Sequence, residues 1–328
     1  METWLPLIAG LVMLVIGGEL LVRGAVKVAS NMGVSPLVIG LTLVGFGTST
    51  PELVTSVQAA LNGSPGIAFG NIVGSNIANL LLILGISALI TPIAIASGAL
   101  RRDGAVMVAV AVVFTVLALT MPLGRAVGIA FLAALAAYIF TAFRQESGGT
   151  PDHGAAHGKS AAAQGVDPAL TAGSGGSTLM GLVTAVVGLA IVVGGGYFLV
   201  NGAVAIARSY GISETVIGLT IVAIGTSMPE LVTSLVAAFR KQADVAFGNI
   251  IGSNIYNILG IGGATVLIAP SEVPAEIATF DNFVMVAASL LLVVLAYTGR
   301  RIARWEGALL LAGYVAYMAF LWPTGSAA

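Results

Sequence analysis

The chain has 328 residues, of which 58% are hydrophobic and only 8% are charged, and its formal net charge is −1. A soluble domain carries about 25% charged residues, so the composition and the mean hydropathy of +1.03 indicate a membrane protein instead. The absence of cysteine excludes disulfides, iron–sulfur clusters and thiolate zinc sites, and the near-zero charge argues against a nucleic-acid partner.

Ten apolar runs are long enough to cross the roughly 30 Å hydrocarbon core of a bilayer. In chain order they cover residues 5–28, 36–61, 67–93, 104–121, 124–143, 179–207, 214–239, 244–269, 282–299 and 304–323. The first run has no basic region before it, which predicts a retained helix and not a signal peptide. Placing the N-terminus outside puts 11 of the 13 Lys and Arg residues on the cytoplasmic side, as the positive-inside rule favours. The sequence thus predicts an all-α membrane protein of ten transmembrane helices with N- and C-termini outside.

Between the fifth and sixth runs lies a segment, 144–178, that is rich in Gly, Ala, Ser and Thr. This composition predicts a flexible cytoplasmic linker. His153 and His157 lie four residues apart within it and could bind a metal. A solvated pair is the preferred interpretation, because no third ligand accompanies them in the sequence. Near the predicted span ends, we expect water to satisfy Asp103 and Asp281.

A long internal repeat divides the chain. Residues 40–85 align without a gap with residues 218–263 at a constant offset of 178, and 28 of the 46 positions are identical. We therefore predict a first five-helix repeat over 1–143, the linker over 144–178 and a second repeat over 179–328. Because five is odd, the second repeat enters the membrane from the opposite side. Inverted repeats place a binding site near the midplane and predict alternating access.

Glu52 and Glu230 occupy matching positions near the middle of their predicted spans. An ionisable group there costs about 2.5–3.5 kcal/mol on insertion scales, and neither span contains a Lys or Arg to compensate it. One interpretation is a pair of buried acids that serves only packing. We favour a cation site, because an unpaired buried acid is either protonated or holds a cation.

Oxygen-bearing side chains accompany both glutamates at helical spacing. They are Thr48, Ser49, Ser56, Asn71, Ser75 and Asn79 in the first repeat, and Thr226, Ser227, Ser234, Asn249, Ser253 and Asn257 in the second. Pro51 and Pro229 free the backbone carbonyls four residues before them. Oxygen ligands without nitrogen or sulfur suit hard cations, and calcium accepts six to eight of them. Two carboxylates also match the two charges of calcium.

The repeated strings carry a family resemblance. GTSTPELVTS with GNIVGSNIAN, and GTSMPELVTS with GNIIGSNIYN, resemble the two alpha-repeats of the prokaryotic-type sodium/calcium exchanger family, within the cation/calcium exchanger superfamily. The resemblance implies a central calcium site formed by Glu52, Glu230, Thr48 and Thr226 with the carbonyls of Gly45 and Ala223. It also implies sodium sites that share the glutamates and add Ser49, Ser75, Ser227 and Ser253, with Asn79 and Asn257 between them.

The sequence therefore predicts a membrane antiporter that exchanges calcium for sodium in a prokaryotic inner or plasma membrane. Its predicted partners are these ions and lipid, without a cofactor or a protein partner. The main alternative is a calcium/proton antiporter that uses the same two glutamates. The proton-coupled branch typically has an acid in its GN motif, which is absent here, and some potassium-moving relatives have Asp where this chain has Asn257.

Two other functional classes fit the pattern less well. A channel gains selectivity from rings around an axis normal to the membrane, whereas the predicted two-fold axis lies in the membrane plane. An intramembrane enzyme would use the two acids as a dyad, yet no catalytic motif accompanies them. The sequence thus predicts a secondary transporter and not an enzyme.

Overall fold

The structure is a computed structural model that describes residues 4–95, 98–147, 153–171, 177–299 and 301–322. These residues are nearly all helical. The helices, in chain order, are α1 (Trp4–Asn31), α2 (Pro36–Gly47), α3 (Thr50–Leu61), α4 (Pro65–Ile90), α5 (Gly98–Thr120), α6 (Arg125–Ser147), α7 (Ala155–Val166), α8 (Thr178–Tyr210), α9 (Glu214–Thr226), α10 (Met228–Phe239), α11 (Ala243–Ile268), α12 (Ile277–Tyr297) and α13 (Arg304–Leu321). Two short strands, β1 (Ile93–Ala94) and β2 (Arg301–Ile302), pair antiparallel.

Seven of the described helices are long and apolar enough to cross a membrane, namely α1, α4, α5, α6, α8, α11 and α12. The helix pairs α2–α3 and α9–α10 are bent by 51° and 48°. If each pair forms one span, the number of candidate membrane spans rises to nine. The tenth predicted segment forms α13, which is not among these helices. The chain is therefore a multi-pass membrane protein, while the count of ten, the inverted insertion and the placement of the termini stay predictions.

The bends of both helix pairs coincide with the two prolines. Pro51 and Pro229 are each the second residue of a new helix, where the missing proline N–H would have no helical partner in any case. Each break places a glutamate, Glu52 or Glu230, in the first turn of the helix that follows. The partial positive charge of a helix N-terminus stabilises a carboxylate there.

Wider π-helical turns occur at matching places in the two parts of the chain. Gly40–Val44 corresponds to Gly218–Val222, and Ala78–Ile83 begins 178 residues before Tyr256–Gly262. Such turns inside α-helices are frequent at functional sites. The repeat is thus reflected in the local backbone geometry as well as in the residue types.

Helices α4 and α11 form the centre of the bundle. Of their most apolar segments, 83% and 89% of the residues are buried, against 28–44% for the other five continuous helices. The outer helices α1 and α8 pack along each other and expose large apolar side chains such as Leu5 and Leu179. Lipid contact explains this exposure, because hydrocarbon chains are as apolar as these side chains.

The segment predicted as a flexible linker differs from that prediction in its middle. Residues Ala155–Val166 form α7, which packs against α10 and α11 and has most of its residues buried. The small residues that suggested flexibility instead permit close helix packing. A Cβ atom on Gly158 would lie only 2.8 Å from the Gly248 Cα. The prediction of flexibility is therefore wrong for α7, and its cytoplasmic placement stays a prediction.

Two acids expected in water are buried instead. Asp103 is 1% exposed and accepts hydrogen bonds from the Tyr138 hydroxyl (3.2 Å) and the Ala155 backbone N–H (2.7 Å). Asp281 is 2% exposed and accepts one from the Tyr317 hydroxyl at 2.7 Å. The expectation was wrong because both side chains point from the span ends toward hydrogen-bond donors inside the bundle.

Candidate cation site

Glu52 and Glu230 meet where the two helix breaks face each other. The Ser49 hydroxyl donates to Glu230 Oε1 at 3.2 Å, and the Ser227 hydroxyl donates to Glu52 Oε1 at 3.1 Å. Each serine lies three residues before the glutamate of its own repeat, so each carboxylate is held by a hydroxyl from the other repeat. Both glutamates are 1% exposed. The structure thus brings the two predicted acids into one buried cluster.

The predicted polar stripes of α4 and α11 orient the helices that carry the glutamates. The Asn71 amide donates to the backbone carbonyl of Glu52 at 3.1 Å, and the Asn249 amide donates to that of Glu230 at 3.3 Å. The Thr226 hydroxyl in turn donates to Asn71 Oδ1 at 2.8 Å. These bonds fix the first turn of each broken helix, and therefore the direction in which its carboxylate points.

Several buried oxygens of this cluster have no hydrogen-bond partner among the described residues. They are Oε2 of Glu52, Oε2 of Glu230, Oδ1 of Asn79 and Oδ1 of Asn257. A buried acceptor without a partner costs about 1–3 kcal/mol. The cluster is therefore rich in oxygens that a cation would satisfy, and carboxylate and amide oxygens are typical calcium ligands.

The other predicted ligands lie around the glutamates with different partners. The Ser75 hydroxyl donates to the Ala223 carbonyl at 3.5 Å, and the Asn79 amide donates to Asn254 Oδ1 at 3.0 Å. Gly45 is buried, and a Cβ atom on it would lie 3.4 Å from the Tyr256 hydroxyl. The two remaining predicted ligands, Thr48 and Ser253, both contact Lys159.

Lys159 of α7 occupies one side of the cluster, and the sequence did not predict it there. Its side chain is fully buried, and its ammonium donates to Ser253 Oγ (2.6 Å), Thr48 Oγ1 (2.7 Å) and Glu230 Oε1 (3.2 Å). The nitrogen also lies 5.9 Å from the centre of the Tyr256 ring, within the range of a cation–π interaction. A side-chain cation is thus bound by three of the predicted ion ligands.

The cluster has two corresponding sides, called mouths here: one lies between Gly70 and Gly218, and the other lies between Gly248 and Gly40. Helix α7 is present at only one of them. At one mouth the repeats touch directly, because a Cβ atom on Gly70 would lie 2.9 Å from the Gly218 Cα. At the other mouth the matching glycines, Gly248 and Gly40, lie against Gly158 and Ser160 of α7. Helix α7 therefore separates Gly40 from Gly248, whereas the matching residues Gly218 and Gly70 contact each other.

The sequence offers a weak signal for Lys159. It is the only Lys or Arg between Arg144 and Arg208, and it lies among alanines, glycines and a serine. A single cation among small residues is consistent with a buried helix. Nothing in the sequence pairs it with Glu230, however, because α7 lies outside the repeat.

A second cluster of ligand-type side chains joins α6 to the start of α7. Glu146 Oε2 lies 2.7 Å from His153 Nδ1 and 3.5 Å from His157 Nδ1, and the two imidazole rings stack with centres 4.1 Å apart. The expectation that no third ligand accompanies the pair is wrong, because Glu146 faces both rings. The two imidazoles themselves are 52% and 37% exposed, which agrees with the expectation of a solvated pair. Burial lowers the pKa of His157, which favours its neutral form.

Comparisons with known proteins extend over nearly the whole chain. The sequence model of the family described as "Sodium/calcium exchanger protein" matches residues 3–144 and 180–322. The sodium/calcium exchanger MaX1 of Methanosarcina acetivorans is 38% identical, with 97% of this chain and 98% of that protein covered. The inner membrane protein YrbG of Escherichia coli is 34% identical, with 96% and 95% covered. A solved structure of the sodium-calcium exchanger NCX_Mj matches with a TM-score of 0.61 and 32% identity, covering 97% of both chains.

Proposed function

Because the chain belongs to the sodium/calcium exchanger protein family, whose members are cation/calcium antiporters, we propose that it exchanges calcium for sodium at one site built on Glu52 and Glu230. The observation that carries this proposal is the reciprocal pairing of Ser49 with Glu230 and of Ser227 with Glu52. It brings two buried carboxylates together and leaves one oxygen of each without a partner among the described residues. The relatives support an inner-membrane location.

The two ions would share the carboxylates and use different neutral oxygens. Calcium would be held by the two carboxylates, by the hydroxyls of Thr48 and Thr226, and by the carbonyls of Gly45 and Ala223. Sodium would share the carboxylates and use the neutral oxygens of Ser49, Ser75, Ser227 and Ser253, with Asn79 and Asn257 between the sites. Two negative charges balance one calcium ion or two sodium ions. The serine hydroxyls that now donate to the carboxylates would rotate their oxygens toward a bound ion.

Sharing of the two glutamates is what would make the protein an exchanger. Calcium and sodium cannot both be neutralised by the same two carboxylates, so one ion leaves as the other binds. Inverted repeats allow the site to open to either side in turn. The difference between the two mouths supports this proposal, since the repeats touch at one mouth and are held apart by α7 at the other.

Reconstitution into proteoliposomes tests the proposed coupling. Calcium uptake is measured under separately imposed sodium, proton and potassium gradients at fixed membrane potential. We expect an opposing sodium gradient to drive calcium uptake, and a potassium gradient to have no effect. Calcium movement under a pH gradient but not under a sodium gradient would favour the calcium/proton alternative and leave the shared glutamate site standing.

A further inference from the structure

We propose that α7 is an autoinhibitory plug and that the Lys159 ammonium is a tethered competitor of the transported ions. This inference rests on the proposed function, because it assigns a regulator to the same ion site. It concerns residues that lie between the two ranges matched by the family model, 3–144 and 180–322.

The contacts of Lys159 form a complete site for an ammonium group. A lysine ammonium has three donors, and three oxygens lie within 3.2 Å of it, on Ser253, Thr48 and Glu230. Burial of an unpaired charge is strongly unfavourable, so this position is tenable only because a carboxylate and two hydroxyls meet the charge. An ion that used the same three residues would have to displace Lys159 first.

Both ends of α7 are anchored to other parts of the bundle. At its start, Asp103 of α5 accepts the Ala155 N–H at 2.7 Å. At its end, Arg240 donates to the Gly165 carbonyl at 2.8 Å. Beyond its end, Arg23 of α1 forms an ion pair with Asp167 at 2.6 Å. The helix is thus docked by charged groups from both repeats and is not merely trapped in a gap.

The position of α7 also prevents closure of its mouth. Gly158 lies against Gly248, and Ser160 lies against Gly40. The counterparts of these two glycines in the other mouth, Gly70 and Gly218, touch each other directly. Alternating access requires each mouth to close in turn, so α7 must leave before exchange can proceed. The docked state is therefore inhibited.

Removal of the Lys159 charge tests the competition. In Lys159→Met the apolar stem remains but the charge is lost. If α7 is docked about nine-tenths of the time, only about one-tenth of the protein can bind calcium, and the apparent affinity is reduced about tenfold. We therefore expect the calcium concentration that gives half-maximal exchange to fall about tenfold in this variant. Lys27→Met is the matched control, because Lys27 is a half-buried lysine of α1 outside the ion site. An unchanged or raised half-maximal concentration, or loss of exchange by folded Lys159→Met protein, would overturn the proposal.

A reversible cross-link tests the plug without altering any ion ligand. A Cβ atom on Gly40 would lie 3.7 Å from the Ser160 Cβ, which suits a disulfide, and the chain has no cysteine of its own. We expect Gly40→Cys/Ser160→Cys protein to lose exchange on oxidation and to regain it on reduction, whereas each single variant stays active under both conditions. Equal exchange by the oxidised and reduced double variant, with the disulfide formed, would overturn the proposal.

These results separate the plug from the proposed function. If Glu52→Gln protein still exchanges calcium, the shared glutamate site is wrong. If Glu52→Gln protein is inactive while Lys159→Met and the cross-link leave exchange unchanged, only the plug is wrong.

A second inference rests on different residues: we propose that Glu146, His153 and His157 bind a divalent transition metal of the zinc or nickel class. One ligand atom from each residue lies within 4.8 Å of the other two. Imidazole and carboxylate ligands suit these metals, and zinc bonds of about 2.0–2.2 Å require only small side-chain shifts from this arrangement. The metal would tie the end of α6 to the start of α7 and so hold the plug in place.

Metal binding to the purified full-length protein tests the second site directly. Calorimetric titration with zinc should show one site, and cobalt should give the visible absorption of a low-symmetry complex. We expect His153→Ala and His157→Ala each to abolish both signals, whereas Lys159→Met retains them. No saturable binding, or binding that survives both histidine substitutions, would overturn this assignment.

Discussion

At the residue scale, the site depends on two carboxylates that are each held by the opposite repeat. Glu52 and Glu230 are buried in the first turns of their helices, and each accepts a serine hydroxyl from across the cluster. A carboxylate in such a place is stable when a cation neutralises it. Lys159 now supplies one such charge beside Glu230.

Replacing either glutamate by glutamine should abolish calcium exchange without unfolding the protein. Glu52→Gln and Glu230→Gln keep the side-chain volume but leave a single negative charge to meet a doubly charged ion in a low-dielectric site. Calcium flux in proteoliposomes measures the loss, and size-exclusion chromatography in detergent checks the fold. Glu276→Gln is the control, because Glu276 is exposed. Near-normal flux in either site variant would show that the pair serves packing alone.

Acidification should inhibit calcium exchange whichever counter-ion is used. The titratable groups that meet at the site are Glu52, Glu230, Lys159 and Tyr256. Protonation of either glutamate removes negative charge that calcium requires, so binding weakens as pH falls. The calcium concentration for half-maximal flux, measured at several pH values without a pH gradient, should rise toward low pH. A half-maximal concentration that falls on acidification would contradict a carboxylate site.

At the element scale, the proposed switch between the inhibited and the active protein is the short helix α7. It fills the space between α2 and α11, and its ends are held by Asp103, by Arg240 and by the pair of Arg23 with Asp167. Single hydrogen bonds contribute about 0.5–1.5 kcal/mol. One substitution at an anchor should therefore shift the equilibrium between docked and released α7.

Loss of one anchor should release α7 in part. Arg240→Ala removes the hydrogen bond to the Gly165 carbonyl, which should favour release of α7 by about 2- to 10-fold on the energy scale of one hydrogen bond. The half-maximal calcium concentration should fall as in Lys159→Met, but by less. Arg208→Ala at the end of α8 is the control, because Arg208 is exposed and lies outside α7. A higher half-maximal calcium concentration in the Arg240→Ala protein would show that this anchor assists transport.

At the scale of the whole molecule, matching contacts recur at an offset of 178 residues. Ser49 with Glu230 repeats as Ser227 with Glu52, and the asparagine of α4 repeats as that of α11. Two copies of one five-helix unit inserted in opposite directions would produce this pattern, and that insertion stays a prediction. In that arrangement the two bent helix pairs would each contribute one carboxylate from opposite sides of the membrane.

Cysteine labelling tests the predicted orientation of the second repeat, and the natural chain has no cysteine. Arg208 and Lys241 are both exposed and lie on opposite sides in the predicted topology. A membrane-impermeant maleimide should therefore label Arg208→Cys but not Lys241→Cys in intact cells, and both after permeabilisation. Labelling of both variants in intact cells would be incompatible with the predicted orientation.

The sequence by itself determined the features that the repeat encodes. The helix breaks at Pro51 and Pro229 and the polar stripes with their glutamates are local patterns, and each copy served as a check on the other. The family resemblance drawn from the same strings is confirmed across the chain. Local patterns fix these features because backbone breaks and helix faces depend on residues only a few positions apart.

Only the tertiary structure decided what lies between the repeats. Lys159 meets partners that are 71 to 111 residues away, and Glu146 at the end of α6 lies beside the histidine pair at the start of α7. No second copy of α7 exists for comparison, and its alanines and glycines suit a linker as well as a tightly packed helix. Whether such a segment stays in water or docks depends on the shape and charge of the groove that receives it, which forms only when the two repeats assemble.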